Sequence, residues 1–310
     1  MKHSIFDTHC DTLCALLDER KELEKNDGHL DLERMEEYEH YVQFFACFMD
    51  PIYTGSPVTR LLHLIDTFYT QIDKNSSRIM ACTDYNDLKQ ARAEKKIAAF
   101  LSMEGGEPVE SLAMLRNFYR LGVRCIALTW NGSNQLAAGF SETDSSKGLT
   151  SLGKEVVQEM NRLGMLVDVS HLSDRSFWDV AEVSKKPFIA SHSNARAVCP
   201  HPRNLTDEQF LAVKKSGGCV GINLYPIFLT NSKKAAIDDI IRPIEHFLSL
   251  GGEDSIGIGA DFDGVDCLPD KITGVQSLYL IFDRLLQLGY SQNVISKLEY
   301  QNFERIIQQI

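Results

Sequence analysis

A closed barrel of eight parallel strands, each followed by helix, is the architecture this 310-residue sequence predicts. Three observations predict it. Eight short apolar runs recur along the chain, longer amphipathic stretches separate them, and no Gly/Pro/Ser-rich linker interrupts the alternation. The runs are SIFDT (4–8), VQFFACF (42–48), IAAFLS (97–102), CIALT (125–129), MLVDVS (165–170), PFIAS (187–191), GCVGINL (218–224) and SIGIGA (255–260). Each is apolar on both faces and rich in β-branched or aromatic residues, which suits a parallel strand buried on two sides. Eight such strands favour a closed (β/α)8 barrel over an open sheet. Residues 1–310 then form one catalytic domain, because barrels of about 250 residues or more fold as a unit.

The helical connections carry their own signals. VESLAMLRNFYRLG and GKEVVQEMNRLG repeat apolar residues at three- and four-residue steps and stop at Gly122 and Gly164. Thr206 followed by Gln209 reads as a capping box that opens another helix. The stretch between Met49 and Ile97 is too long for one connection and must hold more than one helix.

Composition narrows the class. With 44% apolar and 24% charged residues the chain is an ordinary globular one, and its net charge of −11 argues against a nucleic-acid partner. No run reaches the roughly 20 apolar residues that span a bilayer, and the first residues break any signal-like stretch with His3 and Asp7. The expected location is the cytoplasm, away from membranes. The eight cysteines include no CxxC pair, and several sit in apolar runs, so they read as reduced core residues rather than zinc ligands or disulfides.

In such barrels catalytic groups project from the carboxyl-terminal ends of the strands. Standing there are His9 and Asp11 after the first predicted strand, Glu104 after the third, His171 after the fifth, His192 after the sixth and Asp261 after the eighth. Imidazole suits zinc, and carboxylates supply the oxygen ligands and bridges of two-metal sites. His9 and Asp11 lie two apart, so on an extended chain both point to one side. Singly, each residue is weak evidence: a strand-end histidine is often plain structure, and Asp261 could cap a helix. Six together point to a metal centre. His3, His29, His40, His63 and His246 receive no role, and His201 lies in a loop close in sequence to Arg203.

At these residues the sequence resembles the membrane (renal) dipeptidase family of the amidohydrolase superfamily, in particular its bacterial members. FDTHCDT, MEGGEPV, GLTSLGKEVVQEMNRLGMLVDVSH, SHSNARAVCPHPRNLTDEQ, IGIGADFDG and the closing YQNFERII carry the likeness end to end. The resemblance implies a zinc-dependent dipeptidase in which a water shared by two zinc ions attacks the amide of short peptides, with dipeptides that carry a D-residue at the carboxyl end among the candidate substrates. It implies that His9, Asp11 and Glu104 hold one zinc, that Glu104, His171 and His192 hold the other, and that Asp261 shuttles the proton. It further implies that Arg203 receives the substrate carboxylate and that the protein is a homodimer.

One position departs from the family. Where the animal enzymes have histidine after the fourth strand, this chain has Trp130, whose indole N–H donates one hydrogen bond but carries no charge. Tyr225, Asn131 and Asn134 could line the same mouth, and the polar loop GFSETDSSKG (139–148) is long enough to cover it, although each also reads as ordinary structure. Arg203, without the resemblance, reads as a solvent-facing or capping arginine. Two other functions compete: an amidohydrolase acting on N-acyl amino acids or cyclic amides, and a non-catalytic metal-binding barrel.

Overall fold

The computed structural model describes residues 2–309, and among them nine strands. These are β1 (Ser4–Cys10), β2 (His40–Phe48), β3 (Ile79–Cys82), β4 (Ile97–Glu104), β5 (Val123–Ala127), β6 (Leu166–Asp168), β7 (Phe188–Ile189), β8 (Val220–Ile222) and β9 (Ile256–Ile258). Every pairing between them is parallel, in the order β7-β6-β5-β4-β2-β1-β9-β8. A parallel bridge from Ala190 to Val220 brings the two ends of that order together. The result is a nearly closed eight-stranded barrel ringed by helices.

All eight predicted strands belong to the ring. The ninth, β3, does not: it pairs with Ile97–Phe100 of β4, while β5 takes Leu101–Glu104 higher up the same edge. The interval between Met49 and Ile97 holds two helices, Pro57–Lys74 and Tyr85–Ala93, with β3 between them. Elsewhere the local signals act as their chemistry requires. Gly164 closes Ser151–Leu163 at φ 77°, a left-handed cap that an L side chain adopts only with strain. At helix Asp207–Ser216, Thr206 Oγ1 accepts from the Gln209 amide (3.2 Å) while Gln209 Oε1 accepts from the Thr206 amide (2.8 Å).

The barrel interior is divided by height. At the amino-terminal end Phe6, Phe44 and Phe100 interlock, with Phe44 and Phe100 stacked at 5.2 Å, and Phe303 of helix Asn302–Ile307 closes the opening against Phe6 at 5.7 Å. Burying each such ring contributes about 2–3 kcal/mol. Following the same inward faces upward, the apolar plug gives way to Thr8, Ser102, Asp168 and Ser191, all buried. Above these polar residues lie the ends of the strands. All eight cysteines are free thiols, six of them buried, as core residues are. Among the described residues no helix is long and apolar enough to cross a membrane.

Candidate metal centre

Six donors converge where the strands end, delivered by several local devices. Glu104 is the last residue of β4 and continues its inward alternation. His9 lies within β1, at a register irregularity between Asp7 and Cys10 that re-aims its side chain. Asp11 meets it, with Oδ2 3.4 Å from His9 Nε2, but not along an extended strand. The chain has already turned at Asp11 (φ −101°, ψ 16°) into helix Thr12–Asp18, and the Asp11 side chain caps nothing. His171 and Asp261 each follow their strand by three residues and adopt left-handed φ values of 68° and 64°. That conformation costs about 1–3 kcal/mol and persists only where surroundings impose it. The capping role open to Asp261 is therefore not the one it takes.

The Glu104 carboxylate divides the donors in two. Its Oε1 lies 2.9 Å from His171 Nε2 and 3.3 Å from His192 Nε2. Its Oε2 faces the other way, 3.6 Å from His9 Nε2, beside Asp11. Asp261 Oδ1 stands 3.8 Å from the same His9 nitrogen.

The supporting shell fixes which ring nitrogens are lone pairs. His171 Nδ1 donates to Asn131 Oδ1 at 2.8 Å, an oxygen that can only accept. Ser191 gives its hydroxyl proton to Asp168 Oδ2 and so accepts from His192 Nδ1 at 2.7 Å. Asp168 Oδ1 also takes the amides of Ser170 and Ser191, both at 2.9 Å. Both Nε2 atoms are thus bare, yet they stand 2.8 Å apart. Facing lone pairs repel, and a cation is what such a pair accepts. His9 Nε2 and Asp11 Oδ1 are buried without hydrogen-bond partners. A side chain at Gly264 would strike Asp11 Oδ2 at 2.1 Å and Asp261 Oδ1 at 2.5 Å, so glycine keeps this wall open. The residues present fit divalent metal: His9, Glu104 and His192, and likewise His9, Asp11 and Asp261, bring their donor atoms close enough to hold an ion.

Electrostatics agree. Burial, reinforced by Arg203 and His9, holds His171 and His192 well below the ordinary histidine range, in the neutral form that ligates metal. Burial opposes a charge on His9 too, but Glu104, Asp11 and Asp261 outweigh it and push its pKa to about 10. Burial raises Glu104 well above the carboxylate range and raises Asp261, since nearby carboxylates add their repulsion. Positive charge placed among these groups relieves that repulsion.

Of the sequence-derived substrate residues, Trp130, Tyr225 and Asp261 line a cavity of about 450 Å³ together with Asp11, Glu104 and His171, among others, whereas Arg203 is not part of its lining. Arg203 is buried, not solvent-facing and not a cap. Its guanidinium lies over Phe140 and Phe228, donates from Nη2 to the His192 carbonyl at 3.3 Å, and leaves Nε unpartnered. Burial depresses its pKa to about 10 against the pull of Asp261, Glu104 and Asp168. Asn134 is structural, holding the Leu128 carbonyl. In loop 139–148 the polar residues are mostly exposed, whereas Phe140 turns inward, its ring centroid 6.3 Å from His171 and 6.3 Å from His201. Sequence reasoning missed Asn223, which donates to Asp261 Oδ2 at 2.8 Å. It also missed Asp7, fully buried with its pKa pushed up to about 7, whose Oδ1 accepts from the amides of Ala260 and His9 and ties β1 to the chain beyond β9.

A family model for membrane dipeptidase, peptidase family M19, matches residues 1–310. The chain belongs to the membrane dipeptidase family. It is accordingly a metallodipeptidase. A solved metallopeptidase described as dipeptidase AC superimposes with a TM-score of 0.92 at 28% identity, covering 100% of this chain and 99% of that one. A metallopeptidase from Rhodobacter sphaeroides, solved with a phosphinate mimic of the dipeptide L-Ala-D-Ala, gives 0.91 at 27% identity, with 100% and 99% covered. Among curated sequences, an uncharacterized protein of Klebsiella pneumoniae from the pqqA 5′ region is 34% identical over 83% of this chain and 98% of its own length. An uncharacterized dipeptidase of Schizosaccharomyces pombe is 37% identical over 80% of this chain, which spans only 64% of that longer protein.

Proposed function

We propose that this dipeptidase works with two zinc ions held on either side of Glu104, in one cytoplasmic catalytic domain spanning residues 1–310. The observation that carries the reading is the division of the Glu104 carboxylate: one oxygen toward His171 and His192, the other toward His9 and Asp11. Zinc at such a site supplies Lewis acidity, lowering the pKa of water toward about 7 and countering charge on the amide oxygen.

The chain's own residues do the rest. Asn223 holds Asp261 Oδ2, so that Oδ1 faces the donors and takes the proton released as water adds to the amide carbon. The same oxygen returns that proton to the leaving nitrogen as the C–N bond breaks. Arg203, already desolvated, offers its fork to the carboxylate of the substrate. Buried among Phe140, Phe228 and the His192 carbonyl, it has few other partners for that charge. Trp130 and Tyr225 line the approach, and Trp130 donates one hydrogen bond at most. The L-Ala-D-Ala mimic bound by the Rhodobacter relative supports including L,D-dipeptides among the substrates.

The test is chelation, reloading with zinc, and assay on L,L- and L,D-dipeptides beside their carboxyl-amidated counterparts. The reading expects activity lost on chelation, restored by zinc and selective for the free carboxylate. Equal turnover of amidated or N-acyl compounds would favour the broader amidohydrolase reading instead.

A further inference from the structure

The cavity has a second acidic feature that the hydrolytic chemistry leaves unused. Asp50 lines it together with Phe48 and Trp130. Phe48 is the last residue of β2 and stands directly opposite Glu104 in the β2–β4 register. One residue later the Met49 amide donates to the Glu104 carbonyl at 2.9 Å, so the segment bearing Asp50 leaves the barrel beside the proposed metal bridge. Asp50 Oδ1 accepts from the Ile52 amide at 2.8 Å, and among the described residues no cation pairs with this carboxylate. The other acidic residues of the rim are engaged. Asp263 accepts from Thr12 Oγ1 at 2.6 Å and from the His29 amide at 2.7 Å, and Asp266 is paired with Lys233. Neither lysine nor arginine lines the cavity.

Beside Asp50 stand two aromatic rings. Phe48 and Trp130 meet edge to face with centroids 5.2 Å apart, and Trp130 continues toward His171 at 6.2 Å. A carboxylate next to aromatic surface attracts ammonium and guanidinium groups, by charge and through the ring quadrupole.

Barrel order says which end of a dipeptide arrives there. In the ring β1-β2-β4-β5-β6-β7-β8-β9, strand β2 lies across from β7, whose following segment carries His192 with Arg203 bonded to its carbonyl. A substrate with its carboxylate at Arg203 and its scissile carbonyl at Glu104 therefore projects its amino-terminal residue toward β2.

We propose that Asp50, with the Phe48–Trp130 wall, forms a specificity subsite for a cationic side chain on the amino-terminal residue, so that Lys-Xaa and Arg-Xaa dipeptides are preferred. This inference rests on the dipeptidase reading above. In binding, the side-chain ammonium or guanidinium reaches the Asp50 carboxylate while its methylene stem lies against the two rings.

The experiment compares kcat/KM of the zinc-loaded enzyme on Lys-Ala, Arg-Ala and norleucine-Ala, the last matching the lysine stem without its charge, for the parent chain and Asp50→Asn. The expected result is a preference of about tenfold for the cationic dipeptides, carried mainly in KM, shrinking with added salt and falling toward unity in Asp50→Asn. Asp50→Lys should turn the preference toward Glu-Ala over norleucine-Ala. Cleavage of all three dipeptides at equal efficiency by the parent chain overturns the subsite. So does an equal loss on all three in Asp50→Asn, which would assign Asp50 to the α-ammonium shared by every dipeptide. Cleavage of no dipeptide would remove the dipeptidase reading itself, and the subsite with it.

Discussion

The two ends of the barrel are built on opposite terms. At the amino-terminal end Phe6, Phe44, Phe100 and Phe303 fill the interior, and their rings pack against one another. At the carboxyl-terminal end three carboxylates, three imidazoles and a guanidinium are buried together, His171, Asp261 and Asp263 hold left-handed backbone, and several polar atoms lack partners. One end stabilises the molecule, and the other uses part of that stability to hold groups in positions they would not choose. The contrast teaches that a donor set of this kind exists because the plug beneath it over-determines the strand ends.

Substitutions at each end should separate the two roles. The largest expected effect belongs to Glu104→Gln, which should lower dipeptide kcat/KM about 10³-fold or more, since both proposed ions lose a shared charged ligand. The chelated variant should be no less stable than the chelated parent in urea, because a buried carboxylate has been replaced by a neutral group of similar shape. A loss of stability without a loss of activity would erase the contrast. At the other end, Phe100→Ala should cost about 3–5 kcal/mol of unfolding free energy by denaturant titration, from lost burial plus the cavity left beside Phe44. Its zinc content per folded chain should stay at the parent value. Plug substitutions that strip metal from folded protein would mean the two ends are not separable.

How far this division could be read beforehand differs between the ends as well. Buried strands are repetitive and apolar, so their runs stand out, and all eight ring strands were legible. The strand β3 was not: four residues, two of them only half-buried, pairing along one edge of β4, leave no run to recognise. The donors were legible because metal-binding residue types fall at strand ends. Their partners were not, since Asp168, Ser191 and Asn223 acquire meaning only when distant strands are brought side by side. The alignment of His9 with Asp11 was anticipated for a reason that does not hold, because the chain bends where extension was assumed. The burial of Arg203 likewise depends on Phe140 and Phe228 closing over it from other segments.

Those partners make a smaller prediction. Asp168→Asn keeps the shape of the Asp168–Ser191–His192 chain but weakens its hold on the Ser191 proton, and should lower zinc affinity about 10- to 100-fold by competitive chelator titration. An unchanged affinity would show that His192 needs no orienting relay.

The smallest expected effect lies back at the amino-terminal end. His3 clasps the buried carboxylate of Glu299, in a π-helical turn, with Asp283 3.6 Å away. The Glu299 hydrogen bond raises the His3 pKa above 6.5, against burial and with help from the charges of Glu299 and Asp283. Its contribution, about 0.5–1 kcal/mol after allowing for partial exposure, should be complete below pH 6.5 and lost as pH rises through the folded value. Urea unfolding of the parent and His3→Gln at pH 5.5 and 8.5 reads this directly, with the difference between them shrinking at the higher pH. A difference that grew with pH would give the clasp the wrong sign.

The central claim is that Glu104 is shared between two ions. Anomalous diffraction at the zinc edge from crystals of the zinc-loaded protein tests it most directly. Two peaks, one between Glu104 and the His171–His192 pair and one between Glu104 and the His9–Asp11 pair, are the predicted result. A single peak, or two that leave the Glu104 carboxylate outside both coordination spheres, would contradict it.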